Sequence, residues 1–225
     1  MITPTETAVR MLKALEAEFP NWNSPVARFH SETRDTPYMT LISTLMSART
    51  KDETTSSASA RLFAKAETPA AMLELSAADI EKLIYPVGFY HVKAGRILEI
   101  SRALLRDYGG RVPDTMEELT ALPGVGRKTA SLVLTDGYGI PAICVDVHVH
   151  RIMNRWGYVA TRAPRETEFA LREKLPVEWW ITVNYILVGF GQTICKPVVP
   201  RCGECPVSSD CPKINVKNRP RSAKP

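Results

Sequence analysis

An all-α fold is what this sequence predicts, on three observations. Apolar residues recur at helical spacing, as in the i, i+3, i+4, i+7 stripe of Ala8, Met11, Leu12, Leu15 and Phe19. Helix-start signatures, in which Ser, Thr or Asp precedes acidic residues, stand ahead of several such stretches, and glycine or proline follows them. No run alternates apolar and polar residues convincingly enough for a strand, and no internal repeat is found.

Residues 5–19 form the first predicted helix, followed by a loop from Pro20 to about Pro37. Tyr38, Leu41, Ile42, Leu45 and Met46 stripe the next helix. Thr50-Lys51-Asp52-Glu53 fits a capping box and opens a helix to about Ala66. Short helices follow Pro69 and Ser76, and a longer one runs from Tyr90 to Tyr108, stopped by Gly109-Gly110. Asp114-Thr115-Met116-Glu117 fits a second capping box. Pro123 ends the helix opened there, because its ring excludes helical continuation and biases Leu122 to extended geometry. Gly124 and Gly126 supply positive φ or close backbone approach. A helix rich in small and apolar residues (Thr129, Ala130, Leu132, Val133, Leu134) comes next, so the stretch reads helix, glycine hairpin, helix.

Gly137 to Pro141 is a break that suggests two lobes. Asp146 then starts a helix with the buried stripe Val149, Ile152, Met153 and Trp156. Residues 165–174 make a polar helix, and 178–191 are apolar almost all round, as in a helix central to a core. Residues 214–225 read as a basic, disordered tail.

The 225 residues suffice for one large domain or two small ones, and a 44% hydrophobic content allows a proper core. No run approaches a membrane span, and the first 20 residues are an amphipathic pattern rather than a signal peptide, so the expected location is the cytoplasm. From Lys196 onward seven basic residues face only Glu204 and Asp210, which accounts for the whole net charge of +5. A basic C-terminal stretch favours a polyanion such as DNA, or serves only as a solubilising tail.

Backbone N–H groups of a glycine hairpin at a helix N-terminus suit a phosphate. Lys128 sits in the first turn of that helix beside Arg127, where the dipole and a second cation disfavour its charge. A nucleophilic amine requires that, although a plain phosphate contact is the simpler account of the residues alone. Asp146 is a favoured N-cap, and a carboxylate fixed by helix N–H groups is able to stabilise developing positive charge. His148 lies two residues on, facing either a pocket or the core. Cys195, Cys202, Cys205 and Cys211 are spaced C-x6-C-x2-C-x5-C, which accommodates zinc or an iron–sulfur cluster. Cys144 lies outside that set and reads as a small buried apolar residue.

Leu122-Pro123-Gly124-Val125-Gly126-Arg127-Lys128-Thr129-Ala130, then Val145-Asp146-Val147-His148, then the four-cysteine run resemble the endonuclease III family of DNA glycosylases in order and spacing. The resemblance runs from about Pro37 to Pro212. It implies a two-lobed helix-hairpin-helix glycosylase fold: a six-helix barrel over 30–139, an iron–sulfur lobe from 1–29 with 140–213, and a cleft between them. It further implies a 4Fe-4S cluster rather than zinc on Cys195, Cys202, Cys205 and Cys211. Lys128 matches the family's nucleophile and Asp146 its catalytic aspartate. Gly124, Val125, Gly126 and Arg127 of the hairpin, Arg49, Val87, Phe89, Lys196 and Arg201 are the implied DNA contacts, with Asp52, His148 and Ser47 as pocket candidates. The implied partner is double-stranded DNA containing damaged bases or abasic sites, bound by a monomer associated with the nucleoid.

The activity implied is excision of oxidised pyrimidines with strand cutting by β-elimination. Two rivals are a monofunctional G:T or G:U mismatch glycosylase and a non-catalytic DNA-binding iron–sulfur module. The chain departs from the family twice. Arg49 stands in Met46-Ser47-Ala48-Arg49 where Gln is common, and Thr120 stands where a pocket carboxylate is common. Both departures bear on the range of lesions accepted.

Overall fold

A computed structural model describes residues 3–22 and 36–216. The described residues are helical and contain no strand. The chain divides into two compact units, Ser31–Ala142 and Met1–His30 with Ile143–Pro225. Residues 1–2, 23–35 and 217–225, which include most of the expected loop and tail, lie outside the described residues.

The first unit holds α2 (Pro37–Ser47), α3 (Asp52–Phe63), α4 (Pro69–Leu73), α5 (Ala77–Ile84), α6 (Tyr90–Tyr108), α7 (Met116–Ala121) and α8 (Arg127–Leu132), the last running into a π-helical turn, Val133–Gly137. Threonine and serine caps set several starts. Thr36 accepts from Met39 N, Thr68 from Ala71 N, and Ser76 forms a reciprocal box with Asp79. Gly109, at φ 61°, ends α6 in the left-handed conformation glycine tolerates best. The core includes Leu41, Ile42, Met46, Leu62, Ile80, Ile97, Leu104 and Val133, all fully buried.

Two expected capping boxes differ. Thr115 rather than Asp114 caps α7, accepting from Glu118 N at 3.3 Å and donating its hydroxyl to Glu118 Oε2 at 2.7 Å, so the cap lies one residue later. Thr50 caps nothing, and α3 starts after Lys51 without a side-chain cap. Its hydroxyl is engaged by another loop, accepting from Gly88 N at 3.1 Å and from Lys93 Nζ at 3.2 Å.

The second unit holds α1 (Thr5–Glu18), α9 (Val147–Arg155), α10 (Pro164–Lys174) and α11 (Val183–Thr193). The predicted stripes of α1 and α9 face its core, where Met11, Leu12, Leu15, Ile152 and Met153 are fully buried. The apolar stretch from 178 is not one helix buried all round. A 3₁₀ turn, Val177–Trp179, precedes α11, which buries one face through Val183, Ile186, Leu187 and Phe190. Trp180 Nε1 donates to Leu175 O at 2.8 Å, anchoring the turn ahead of the helix. No helix among the described residues is long and apolar enough to cross a membrane.

Candidate active site and cysteine loop

The hairpin forms as its sequence demands. Leu122 ends α7 in extended geometry, Gly124 turns at φ 72°, and Val125 N donates to Leu122 O at 3.2 Å. Gly126 is the N-cap of α8 with an extended backbone (φ −93°), so positive φ is needed only at Gly124. A Cβ on Gly124 would also stand 2.9 Å from the Arg96 side chain. The Val125 side chain is buried, which limits its part in any contact to its backbone. Lys128 is the second residue of α8 and exposed; Arg127 is half-buried.

Asp52 is the first residue of α3 and feels the charge of Lys128. Burial pushes its pKa up, and the Lys128 charge partly opposes that rise. Ser47 Oγ donates back to Thr44 O at 2.8 Å. Thr120 donates to Met116 O and Glu117 O within its own helix and offers no charge.

Two loops carry the expected wedge. Arg49 is exposed with φ 55°, and its guanidinium carbon lies 5.5 Å from the centroid of the Phe89 ring. Phe89, at φ 59°, is 60% exposed, so a large apolar ring faces solvent. Val87 is a correction: at 1% exposure its side chain belongs to the core and cannot reach DNA.

In the second unit Asp146 caps α9, with Oδ1 accepting from His148 N at 2.8 Å and Val149 N at 2.9 Å. His148 is wedged beside α11. Its Nδ1 lies 3.0 Å from Arg151 Nη2, and a Cβ on Gly191 would come within 2.2 Å of it. Cys144 is buried, as read.

The four cysteines line one shared pocket. Arg155 reaches it from α9, donating through Nη1 to Cys195 Sγ at 3.3 Å and Lys196 O at 2.8 Å, and through Nη2 to Pro197 O at 2.7 Å. Arg151 Nη2 donates to Cys195 O at 2.8 Å. Arg201 closes the loop internally, on Glu204 Oε2 at 3.0 Å and Thr193 O at 2.7 Å, whereas Lys196 is exposed. Burial pushes the Cys205 thiol up to about 11, and the other three cysteines add to the rise. Burial raises Cys211 as well, and thiols held this way ionise when a cation compensates them. Among the described residues, no three His, Cys, Asp or Glu groups converge on a single ion. The sulfurs stand around a cavity, an all-sulfur donor set that fits a polynuclear cluster.

Arg151 and Arg155 escaped the sequence reading. The available signal was a pair of arginines four apart on a helix that ends in a buried stripe.

Residues 42–177 match the HhH-GPD superfamily of base excision DNA repair proteins. Endonuclease III of Thermotoga maritima is 50% identical over 198 residues, covering 85% of this chain and 92% of that protein. This chain belongs to the endonuclease III family. Endonuclease III homolog 2, chloroplastic, of Arabidopsis thaliana is 38% identical over 98% of this chain, which spans 61% of that longer relative. A solved endonuclease III structure, a trapped covalent intermediate with DNA in an estranged-adenine complex, superposes with a TM-score of 0.82 at 31% identity, covering 95% of this chain and 97% of that one. The endonuclease III fold is therefore the fold of this protein.

Proposed function

We propose that this member of the endonuclease III family is a bifunctional DNA glycosylase and abasic-site lyase that excises oxidised pyrimidines from double-stranded DNA. Lys128 carries the reading: an exposed amine in the first turn after a glycine hairpin, within electrostatic reach of a half-buried carboxylate. The damaged nucleotide leaves the stack, because C1′ is out of reach inside a duplex. The Lys128 amine attacks C1′ and the base departs with the bonding pair. Loss of a proton from nitrogen and ring opening give a Schiff base. Removal of a C2′ proton then expels the 3′ phosphate by β-elimination. Asp146 supplies the fixed negative charge that offsets positive charge on the sugar.

The Ser31–Ala142 unit corresponds to the six-helix barrel with its helix-hairpin-helix, and the other unit to the iron–sulfur lobe. Cys195, Cys202, Cys205 and Cys211 would hold a 4Fe-4S cluster, which supplies a template for the loop rather than chemistry on DNA. Lys196 would be the loop cation that meets phosphate, since Arg201 is engaged within the loop. The chemistry needs no partner protein, and the expected working form is a monomer.

Borohydride reduction during turnover tests the reading. Wild type is expected to give a covalent protein–DNA adduct and strand cutting, and Lys128→Ala neither, while still binding damaged DNA. Full lyase activity in Lys128→Ala would sink the assignment.

A further inference from the structure

Lys93 has no part in the reaction above, yet the fold buries it to 7% exposure. It is the fourth residue of α6, and its ammonium donates to Met46 O at 2.7 Å, Ala48 O at 2.6 Å and Thr50 Oγ1 at 3.2 Å. Three donors thus meet three oxygens of one loop, which is what a buried ammonium requires. Thr50 Oγ1 also accepts from Gly88 N at 3.1 Å, tying in the second loop. The two backbones touch there: a Cβ on Gly88 would stand 2.7 Å from Arg49 O. At the tips, Arg49 and Phe89 both hold left-handed backbone, a region that residues other than glycine rarely occupy, and their side chains meet. Strain of that kind persists only where surrounding structure holds it.

We propose that Lys93 is a positioning residue that locks the 46–50 and 87–89 loops together, so that Arg49 and Phe89 enter the duplex as one two-pronged wedge. The proposal rests on the glycosylase reading above. A wedge assembled before binding does not have to be ordered while the base leaves the stack. Without the latch each loop relaxes toward commoner backbone angles and the tips separate. Chemistry at Lys128 is untouched, so the defect is confined to steps that displace a paired base.

Single-turnover cleavage of two duplexes tests this, one holding a paired oxidised pyrimidine and one an abasic site with no base to extrude. Lys93→Met, Thr50→Val and Gly88→Ala are compared with wild type, each checked by thermal melting. Gly88→Ala forces the loops apart while leaving every latch donor and acceptor in place, so it serves even where Lys93→Met folds poorly. All three are expected to lose about 100-fold on the paired lesion, the scale of an ångström-sized misplacement, and less than about threefold on the abasic site. Lys93→Arg, which keeps the charge, should recover part of the loss. Equal losses on both duplexes, or no loss on either, in folded variants would overturn the latch. A wild type that traps on neither duplex would overturn the lyase reading itself, and the latch with it.

Discussion

At Asp146 one carboxylate oxygen belongs to the fold. Oδ1 takes two N–H groups of the first turn of α9, a role asparagine fills equally well. Asp146→Asn therefore keeps the cap and removes only the charge. Its melting temperature should match wild type while base excision falls strongly; Asp146→Ala should lose activity and about 1 kcal/mol of stability. Near-normal single-turnover rates in Asp146→Asn would leave Asp146 a cap and nothing more. Asp52 presents the opposite balance, for burial raises its pKa in the folded chain. An acid held this way binds its proton more tightly folded than unfolded. Its contribution to stability is therefore best below the unfolded value of about 3.9 and falls as pH rises through the higher folded value. Asp52→Asn removes that fall. Melting curves should show the variant gaining on wild type from acid toward neutral pH, with no gain at the acid end. A variant less stable at neutral pH would mean that attraction to Lys128 outweighs burial.

Among the elements, α9 carries the most, with Asp146 at its start, a core stripe along one face, and Arg151 and Arg155 reaching the cysteine loop. Arg155 is 7% exposed and serves the carbonyls of Cys195, Lys196 and Pro197. Arg155→Gln removes the charged donor from the part-buried carbonyls of Lys196 and Pro197, at about 1–2 kcal/mol. It should lower the melting temperature and speed iron release to a chelator; unchanged release would show the loop to be held by its sulfurs alone. The helix and its cap are legible in the sequence, because Asp146 and the 149, 152, 153, 156 stripe are local signals. The partners of Arg155 are not, since they are backbone carbonyls some 40 residues on, which no spacing encodes. The same holds at Thr50, whose local context reads as a cap but whose hydroxyl is taken by Gly88 of a distant loop and Lys93 of α6. Val87 fails for a related reason: a valine beside an exposed aromatic carries no sign that it points inward. The glycine hairpin, the lysine after it and the four cysteines are legible because their meaning lies in short spacing. The left-handed backbone shared by Arg49 and Phe89 is a product of tertiary contacts.

At the scale of the molecule, two cores exist and the cysteines belong to one of them. Cys195, Cys205 and Cys211 pack against the cluster of α1, α9, α10 and α11 side chains, whereas the Ser31–Ala142 core includes no cysteine. The cysteine loop has little regular structure, a single 3₁₀ turn at Cys202–Glu204, so the proposed cluster would be its main template. Purified protein is expected to be yellow-brown, with about four irons per chain. Cys202→Ala removes one of the four proposed ligands and should release the loop. Arg155 and Arg151 then lose the ordered carbonyls they hold, and the core beneath them loses its cover. The unit containing the cysteines should melt first, leaving the other with its own buried contacts intact. Amide hydrogen exchange reads this directly. Protection should fall across α9 and α11 in Cys202→Ala and persist across α2 and α6. If α6 exchanges in step with α9, the loop stabilises the whole chain as one cooperative body; if α9 keeps its protection, the cluster does not template the fold, and a colourless, active protein would remove it from the account altogether.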